Sequence, residues 1–229
     1  MKRVIPYLLL FIMISSCKKQ DSDVLVEFTF KSTNKTAYGR PYKLNTADMR
    51  ILFSNFGFRD SADKLVLVKD IFLYKNDNAS FRFTVPEGKF SSFQFSFGLD
   101  KVQNASIPSS FEASHPLSVE SGLYWDMLKY RFLVAEGNID NSPTKDQTPV
   151  NPFSMHLGSD TLYHVITVTG IPKAGDKVTI EMDMDKLFVL DGDPFQITNF
   201  SIHSEPSEIP KAIAIKNSFI SGLKTTIIP

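Results

Sequence analysis

The sequence predicts an all-β fold: one antiparallel β-sandwich or barrel with Greek-key-like connections and a short C-terminal helix. Three observations predict it. Several segments strictly alternate apolar and polar side chains, turn-forming residues separate these segments, and one segment near the C-terminus has helical spacing instead. Phenylalanine, present 20 times, supplies large apolar side chains for the core of such a fold.

Residues 1–16 have the organisation of an export signal peptide. A positively charged start precedes an uncharged apolar run over residues 4–14, which is shorter than the roughly 20 residues that a membrane-spanning helix needs. Two serines then lead into Cys17, the only cysteine, and this ending resembles the lipobox of bacterial lipoproteins. The resemblance implies cleavage before Cys17 and acylation of its thiol. Residues 17–24 are then a lipidated tether.

These features lead us to expect a lipid-anchored protein of the bacterial cell envelope, on the outer membrane. A single cysteine leaves no partner for a disulfide within the chain. Basic and acidic side chains number 25 each, which excludes the dense positive charge that nucleic-acid binding requires. Residues 25–229 are long enough for one β-domain, and we expect them to form a single one.

The strands are predicted from alternation, which is typical of a strand with one buried and one solvated face. Turn signals such as Pro86-Glu87-Gly88 and Gly170-Ile171-Pro172 separate them. The alternating segments are VLVEFTFK at 24–31, ASFRFTV at 79–85, SSFQFSFGL at 91–99 and KVTIEMDMD at 177–185, and further strand candidates are Met49–Phe58, Lys64–Tyr74, Tyr124–Ala135, Phe153–Leu157 and Leu162–Thr169.

The segment after Ser207 predicts the helix. Its apolar residues recur at spacings of three and four, at Ala212, Ile215, Phe219 and Leu223. Ser207 can cap its start, and Gly222 can end it. We expect this amphipathic helix to pack on the end of the sandwich, and a partner-binding helix is the alternative.

The chain has four histidines, and none belongs to a paired metal motif. His164 lies on the apolar face of its strand, which predicts a buried side chain. His203 precedes the helix in a predicted loop, where we expect it to be exposed. His156 alternates with the apolar residues of its own strand and should point away from the core, whereas His115 lies in a loop. Histidine is a common metal ligand, so His156 and His115 are candidates.

The acidic residues and the known catalytic motifs give little support for an enzyme. Glu181, Asp183 and Asp185 form a carboxylate stripe on one strand, which we interpret as a solvated face. No nucleophile elbow, P-loop or dinucleotide-binding fingerprint appears. The sequence therefore predicts a protein that is not an enzyme.

The order of the segments resembles the MbnP-like family of bacterial exported proteins. The resemblance is carried by VPEGKFSSFQFSFGLD at 85–100, GLYWDMLKYRFLVAEG at 122–137 and FSMHLGSD at 153–160, and it extends from Val26 to Phe219. It implies a β-rich fold, often in a lipoprotein, and copper binding outside the cell. In some relatives a tryptophan is oxidised to kynurenine by a di-haem partner protein, and the opened ring helps to hold Cu(I) beside histidines.

Carried onto this chain, the resemblance implies metal ligation by Trp125 and His156. Asn104 stands where methanotroph-type relatives carry a histidine, so His115 substitutes or the site is absent. Met127 is a candidate soft ligand that could equally belong to the core. A structural role stays open for both main residues: Trp125 as a core anchor, and His156 as a hydrogen-bonding residue at a strand end.

The functional hypothesis is therefore an envelope-anchored lipoprotein that binds metal, with copper as its cofactor, in copper handling or acquisition. Its partners would be the membrane, through the lipid anchor, and a di-haem oxidising protein. The alternative is a non-catalytic interaction module that binds a protein or glycan without metal. An exposed aromatic patch away from His156 would favour this alternative.

Overall fold

The computed structural model describes residues 23–31, 36–37, 40–126, 129–140, 142–144, 146–190, 193–194 and 200–229. Residues 1–16, predicted as a signal peptide, lie outside these residues, as do Cys17 and most of the predicted tether. In the described part of the chain no helix is long and apolar enough to cross a membrane.

The described residues form seventeen strands and two α-helices, with short 3-10 turns between some of them. In chain order these are β1 (Asp23–Phe30), β2 (Thr36–Ala37), β3 (Arg40–Leu44), β4 (Arg50–Asp60), β5 (Leu65–Tyr74), β6 (Ser80–Thr84), β7 (Phe90–Phe97), α1 (Lys101–Asn104), β8 (Tyr124–Trp125), β9 (Lys129–Tyr130), β10 (Leu133–Ile139), β11 (Asn151–Leu157), β12 (His164–Val168), β13 (Lys177–Met182), β14 (Val189–Leu190), β15 (Asp193–Pro194), β16 (Phe200–Ile202), α2 (Ile209–Ser221) and β17 (Leu223–Ile228).

Two sheets carry the fold, and the predicted all-β class is confirmed. The smaller sheet has the order β17-β13-β1-β6. The larger sheet has nine strands, with β12-β7-β4-β10-β11-β16 along its main path. Strand β4 pairs with β5 along one edge and with β10 and then β7 along the other. Strand β3 adds to the sheet through β10.

The core lies between the sheets and is rich in phenylalanine. Phe28 of the smaller sheet stacks on Phe53 and Phe72 of the larger one, with ring centroids 4.7 and 5.0 Å apart. Phe56 stacks on Phe95 at 5.2 Å. Aromatic contacts of this kind add to the free energy gained by burying the rings, so the alternating phenylalanines of the sequence hold the two sheets together.

The predicted C-terminal helix is present as α2. It buries Ala212, Ile215 and Phe219, and Gly222 ends it as expected. Phe219 reaches Phe97 of the larger sheet, with ring centroids 5.6 Å apart, so the helix packs on the core. Ser207 does not cap it, because the N-cap position is Glu208, which makes no side-chain capping hydrogen bond.

Several details differ from the sequence prediction. The pairs β1–β13 and β11–β16 are parallel, although the hairpin-like spacing of the segments predicted an antiparallel fold. The segment predicted as one strand over Tyr124–Ala135 is instead the β8–β9 hairpin followed by β10, and Lys129 adopts a positive φ of 60° there. Another strand, β17, follows the helix and pairs with β13.

The sequence suggested that the carboxylate stripe is a solvated face, but the structure buries part of it. Asp183 is only 7% exposed, and its carboxylate accepts a hydrogen bond from Lys31 Nζ at 2.8 Å. Asp185 accepts a hydrogen bond from the Tyr42 hydroxyl at 2.6 Å. These carboxylates are therefore engaged in tertiary contacts that join the ends of distant segments.

Candidate metal centre

His156 is placed by the alternation of β11, as the sequence predicted. Phe153, Met155 and Leu157 are buried in the core, so His156 lies on the opposite face of the sheet, where its side chain is largely buried by other elements. Strand register sets its neighbours: His156 is opposite Val134 of β10.

The parallel strand β16 brings a second histidine to this face. Ser154 pairs with Ser201 and Met155 with Ile202, so the next step along both strands places His203 beside His156. His203 is half-buried rather than exposed, which corrects the sequence prediction. Sequence reasoning missed it because a parallel pairing between distant segments leaves no local pattern.

Trp125 reaches the same place from the β8–β9 hairpin. It pairs with Lys129, and it is 38% exposed, so it is not a core anchor. The Arg131 guanidinium lies over the indole, with its central carbon 5.7 Å from the ring centroid. Arg131 Nε donates to the Leu123 carbonyl at 3.3 Å, and Nη2 donates to that of Gly122. Arg131 therefore joins the hairpin base to the indole.

The rings of Trp125, His156 and His203 form one cluster, which we call the ring cluster. Its centroid distances are 6.1 Å from Trp125 to His156, 5.3 Å from Trp125 to His203 and 5.1 Å between the two histidines. All three contacts are edge-to-face. Thus the two residues that the sequence singled out, from different segments, do meet in the fold.

The two ring nitrogens of His156 differ, because one has a hydrogen-bond partner and the other has none in the described part of the chain. Its Nε2 lies 2.7 Å from Glu136 Oε1. Its Nδ1 is buried and has no hydrogen-bond partner among the described residues. Burial is the main effect on His156 and lowers its pKa, against the opposing effect of the hydrogen bond to Glu136. The imidazole is therefore neutral at neutral pH, the form that binds metals.

His203 is held by a short chain of hydroxyl groups. The Ser154 and Ser201 hydroxyl oxygens are 2.8 Å apart, and Ser201 Oγ lies 3.1 Å from His203 Nε2. The backbone N–H of His203 donates to Glu208 Oε2 at 2.9 Å, at the start of α2. Both histidines of the ring cluster are thus fixed by neighbouring polar groups.

A cleft of about 590 Å³ opens beside His156 on this face of the sheet. Its walls come from β10, β11 and β16, including Glu136, Asn138, Ser154 and Ser201. The cleft gives solvent and small solutes a route to the edge of the ring cluster.

The other candidates lie elsewhere. His115 stacks on Phe111, with ring centroids 4.2 Å apart, and its Nδ1 accepts the Leu117 backbone N–H at 3.1 Å. It borders a separate depression, and no ring contact within the described residues links it to the ring cluster. Met127 lies outside the described residues. His164 is half-buried on the edge strand β12.

Asn104 has a structural role. It is 1% exposed. Its Nδ2 donates to Asp160 Oδ1 at 2.6 Å, and its Oδ1 accepts from the Tyr130 backbone N–H at 3.2 Å. Asn104 therefore ties α1 to the β9 strand and to the turn after β11.

Two imidazoles make up the candidate donor set, and the indole of Trp125 lies beside them. Within the described ranges no group of three or more His, Cys, Asp or Glu side chains is placed to hold a metal. The buried, unpartnered Nδ1 of His156 nevertheless fits a metal ligand, because a buried nitrogen lone pair without a partner is unfavourable unless something binds it. Imidazole ligands without carboxylate suit copper better than calcium or magnesium.

Comparison with known proteins gives a consistent picture. The family model MbnP matches residues 21–209. The solved structure of MbnP from Methylosinus trichosporium is similar with a TM-score of 0.55 and 16% sequence identity, covering 83% of this chain and 86% of that one. None of the curated proteins matches the chain. The structural likeness, at this identity, concerns the fold.

Proposed function

Because the chain belongs to the MbnP family, we propose that it is a lipid-anchored envelope protein that binds copper at the ring cluster, in copper handling or acquisition, and catalyses no reaction. The single observation that carries the proposal is the buried Nδ1 of His156, which has no partner among the described residues and lies in a cluster with His203 and Trp125.

His156 and His203 would supply the imidazole nitrogens. Their ring centroids are 5.1 Å apart, which is close enough for one ion to contact both, because a metal–imidazole bond is about 2 Å long. Trp125 borders both rings. The resemblance seen in the sequence adds the expectation that Trp125 is oxidised to kynurenine, and its 38% exposure makes the indole accessible to an oxidising partner protein.

Copper binding by the mature chain tests the proposal directly. Copper is titrated as Cu(I) against a competing chelator, and we expect about one ion per chain in the wild type. His156→Ala and His203→Ala should each lower affinity by more than the roughly 10–100-fold typical of losing an outer-shell partner. His115→Ala is the matched control, since His115 stacks on Phe111 instead. Unchanged affinity in both ring-cluster variants would refute the proposal.

The state of Trp125 is tested separately, on protein isolated from its native envelope. A peptide mass spectrum showing kynurenine at position 125 would support a processed site and an oxidising partner. An intact indole there would remove the processing step from the proposal and leave copper binding to the two histidines.

The lipid anchor is likewise tested on its own. A Cys17→Ser variant should move from the membrane fraction to the soluble fraction, and the wild type should carry acyl chains on the peptide that begins at Cys17. Membrane association that persists in Cys17→Ser would contradict the anchor without affecting the copper site.

The alternative of a metal-free interaction module would be favoured by an exposed aromatic patch away from His156, and the described residues show none. The described residues include two exposed aromatic side chains, Tyr124 and Trp125. Trp125 belongs to the ring cluster, and Tyr124, its neighbour in β8, packs edge-to-face on Tyr130. We therefore retain copper binding as the proposed function.

A further inference from the structure

Glu136 lies diagonally across from His156 on the same face of the sheet. In the β10–β11 register Glu136 is opposite Ser154, and Val134 is opposite His156. Such diagonal neighbours on antiparallel strands are within reach of long side chains. Glu136 Oε1 accordingly lies 2.7 Å from His156 Nε2.

This contact determines which ring nitrogen carries the proton. A carboxylate only accepts hydrogen bonds, so Nε2 must be the protonated nitrogen of the neutral imidazole. The lone pair is then on Nδ1, the buried atom without a partner among the described residues. Leaving such a buried acceptor unpaired is unfavourable.

We propose that Glu136 is a positioning residue that fixes His156 as the Nε2–H tautomer and thereby makes Nδ1 its metal-binding nitrogen. The inference rests on the proposed function and adds to it the atom that binds and the residue that selects that atom. Carboxylates in this position are a common feature of metal sites, where they orient the histidine and raise the basicity of its other nitrogen.

No other described side chain takes this role. Arg131 and His203 are near enough to His156 to affect its charge, but Glu136 alone among the described residues has a hydrogen bond to the ring. Asn138, two residues further along β10 on the same face, borders the same cleft and makes no described bond to His156. Asn138 therefore provides a matched control position.

The test measures the tautomer in metal-free protein first. Nitrogen-15 NMR of the wild type should show His156 protonated at Nε2. In Glu136→Ala the resonances should move toward a mixture of tautomers. Glu136→Gln keeps an acceptor oxygen but also offers an N–H group, so it should give an intermediate result. Asn138→Ala should leave the wild-type spectrum unchanged.

Copper affinity is the second readout. We expect Glu136→Ala to weaken Cu(I) binding about 10–100-fold, with a smaller loss in Glu136→Gln and none in Asn138→Ala. Circular dichroism of each variant shows that it folds.

Different results would refute the role of Glu136 and the proposed function. A wild-type His156 protonated at Nδ1, or a Glu136→Ala variant with the wild-type tautomer and affinity, would overturn the role of Glu136. A wild type with the Nε2–H tautomer but no copper binding would instead overturn the proposed function.

Discussion

At the scale of single residues, Arg131 and Trp125 are linked in a way that can be measured. Arg131 covers the indole and bonds two carbonyls at the base of the hairpin. Lysine keeps the charge but lacks the planar fork that makes both bonds. We predict that Arg131→Lys loosens the hairpin by about 1 kcal/mol and makes Trp125 more accessible to a quencher.

The only tryptophan in the chain makes this prediction simple to check. Fluorescence emission and acrylamide quenching report on Trp125 alone. In Arg131→Lys the emission should become that of a more solvent-exposed indole, and the quenching should increase. Arg59→Lys is the control, because Arg59 bonds Gln94 and Asp63 instead. Identical quenching in the two variants would argue against the link.

Asn104 provides a second residue-scale prediction. Replacing it with alanine leaves Asp160 and the Tyr130 N–H without their partner. We expect a loss of about 1–3 kcal/mol in the free energy of unfolding, measured by urea denaturation. Val102→Ala, two residues earlier in α1 at an 82% exposed position, should change it little. An equal effect of both substitutions would contradict the structural role of Asn104.

At this scale the sequence could predict features that depend on one segment, but not those that depend on pairing between distant segments. His156 could be placed away from the core because alternation within one strand is a local property. Glu136, Arg131 and His203 could not be assigned to the site, because their contacts arise from strand register and from a parallel pairing between segments far apart in the chain. The composition and spacing of residues do not encode that register locally.

At the scale of elements, the part of β10 around Gly137 is confined between two neighbouring strands. Gly137 pairs with Leu44 of β3 and with Phe153 of β11. A Cβ atom at Gly137 would lie 2.1 Å from the Lys43 carbonyl oxygen, which is backbone and cannot move aside cheaply. The position requires glycine for lack of space rather than for backbone conformation.

We therefore predict that Gly137→Ala destabilises the protein by at least about 1–3 kcal/mol, the range typical of overpacking. Urea denaturation measures this as a lower midpoint with an unchanged slope. Asn138→Ala, one residue further on, should stay within about 0.5 kcal/mol. A fully stable Gly137→Ala variant would show that β3 does not pack against β10 in solution as it does here.

The elements themselves were the most predictable part of the fold. The period-two segments became β1, β6, β7 and β13, and the helical spacing became α2. The break between β8 and β10 was missed because Lys129, which adopts a positive φ there, is a residue type without a turn preference. Strand β17 was missed because its period-two pattern is short and follows directly on a helix.

At the scale of the whole molecule, β17 completes the smaller sheet after the chain has passed through α2. Its six residues, Leu223–Ile228, pair with the full length of β13, from Met182 to Lys177. Strand β13 would otherwise be an edge strand with unpaired backbone groups, and such edges promote association between molecules. The C-terminal segment therefore stabilises the smaller sheet and covers the backbone groups of β13, while β17 itself becomes the edge strand.

We predict that truncation after Gly222 lowers the thermal midpoint and causes concentration-dependent association, since β13 loses its partner along six residue pairs. Thermal denaturation and light scattering at several protein concentrations measure the two effects. Removal of Pro229 alone, which lies beyond β17, is the control and should leave both unchanged. A truncated protein that stays monomeric with the wild-type midpoint would mean that β17 contributes little. The two histidines of the ring cluster are positioned by β11 and β16 of the larger sheet, so a truncated chain that remains folded should keep the copper affinity proposed for the full chain.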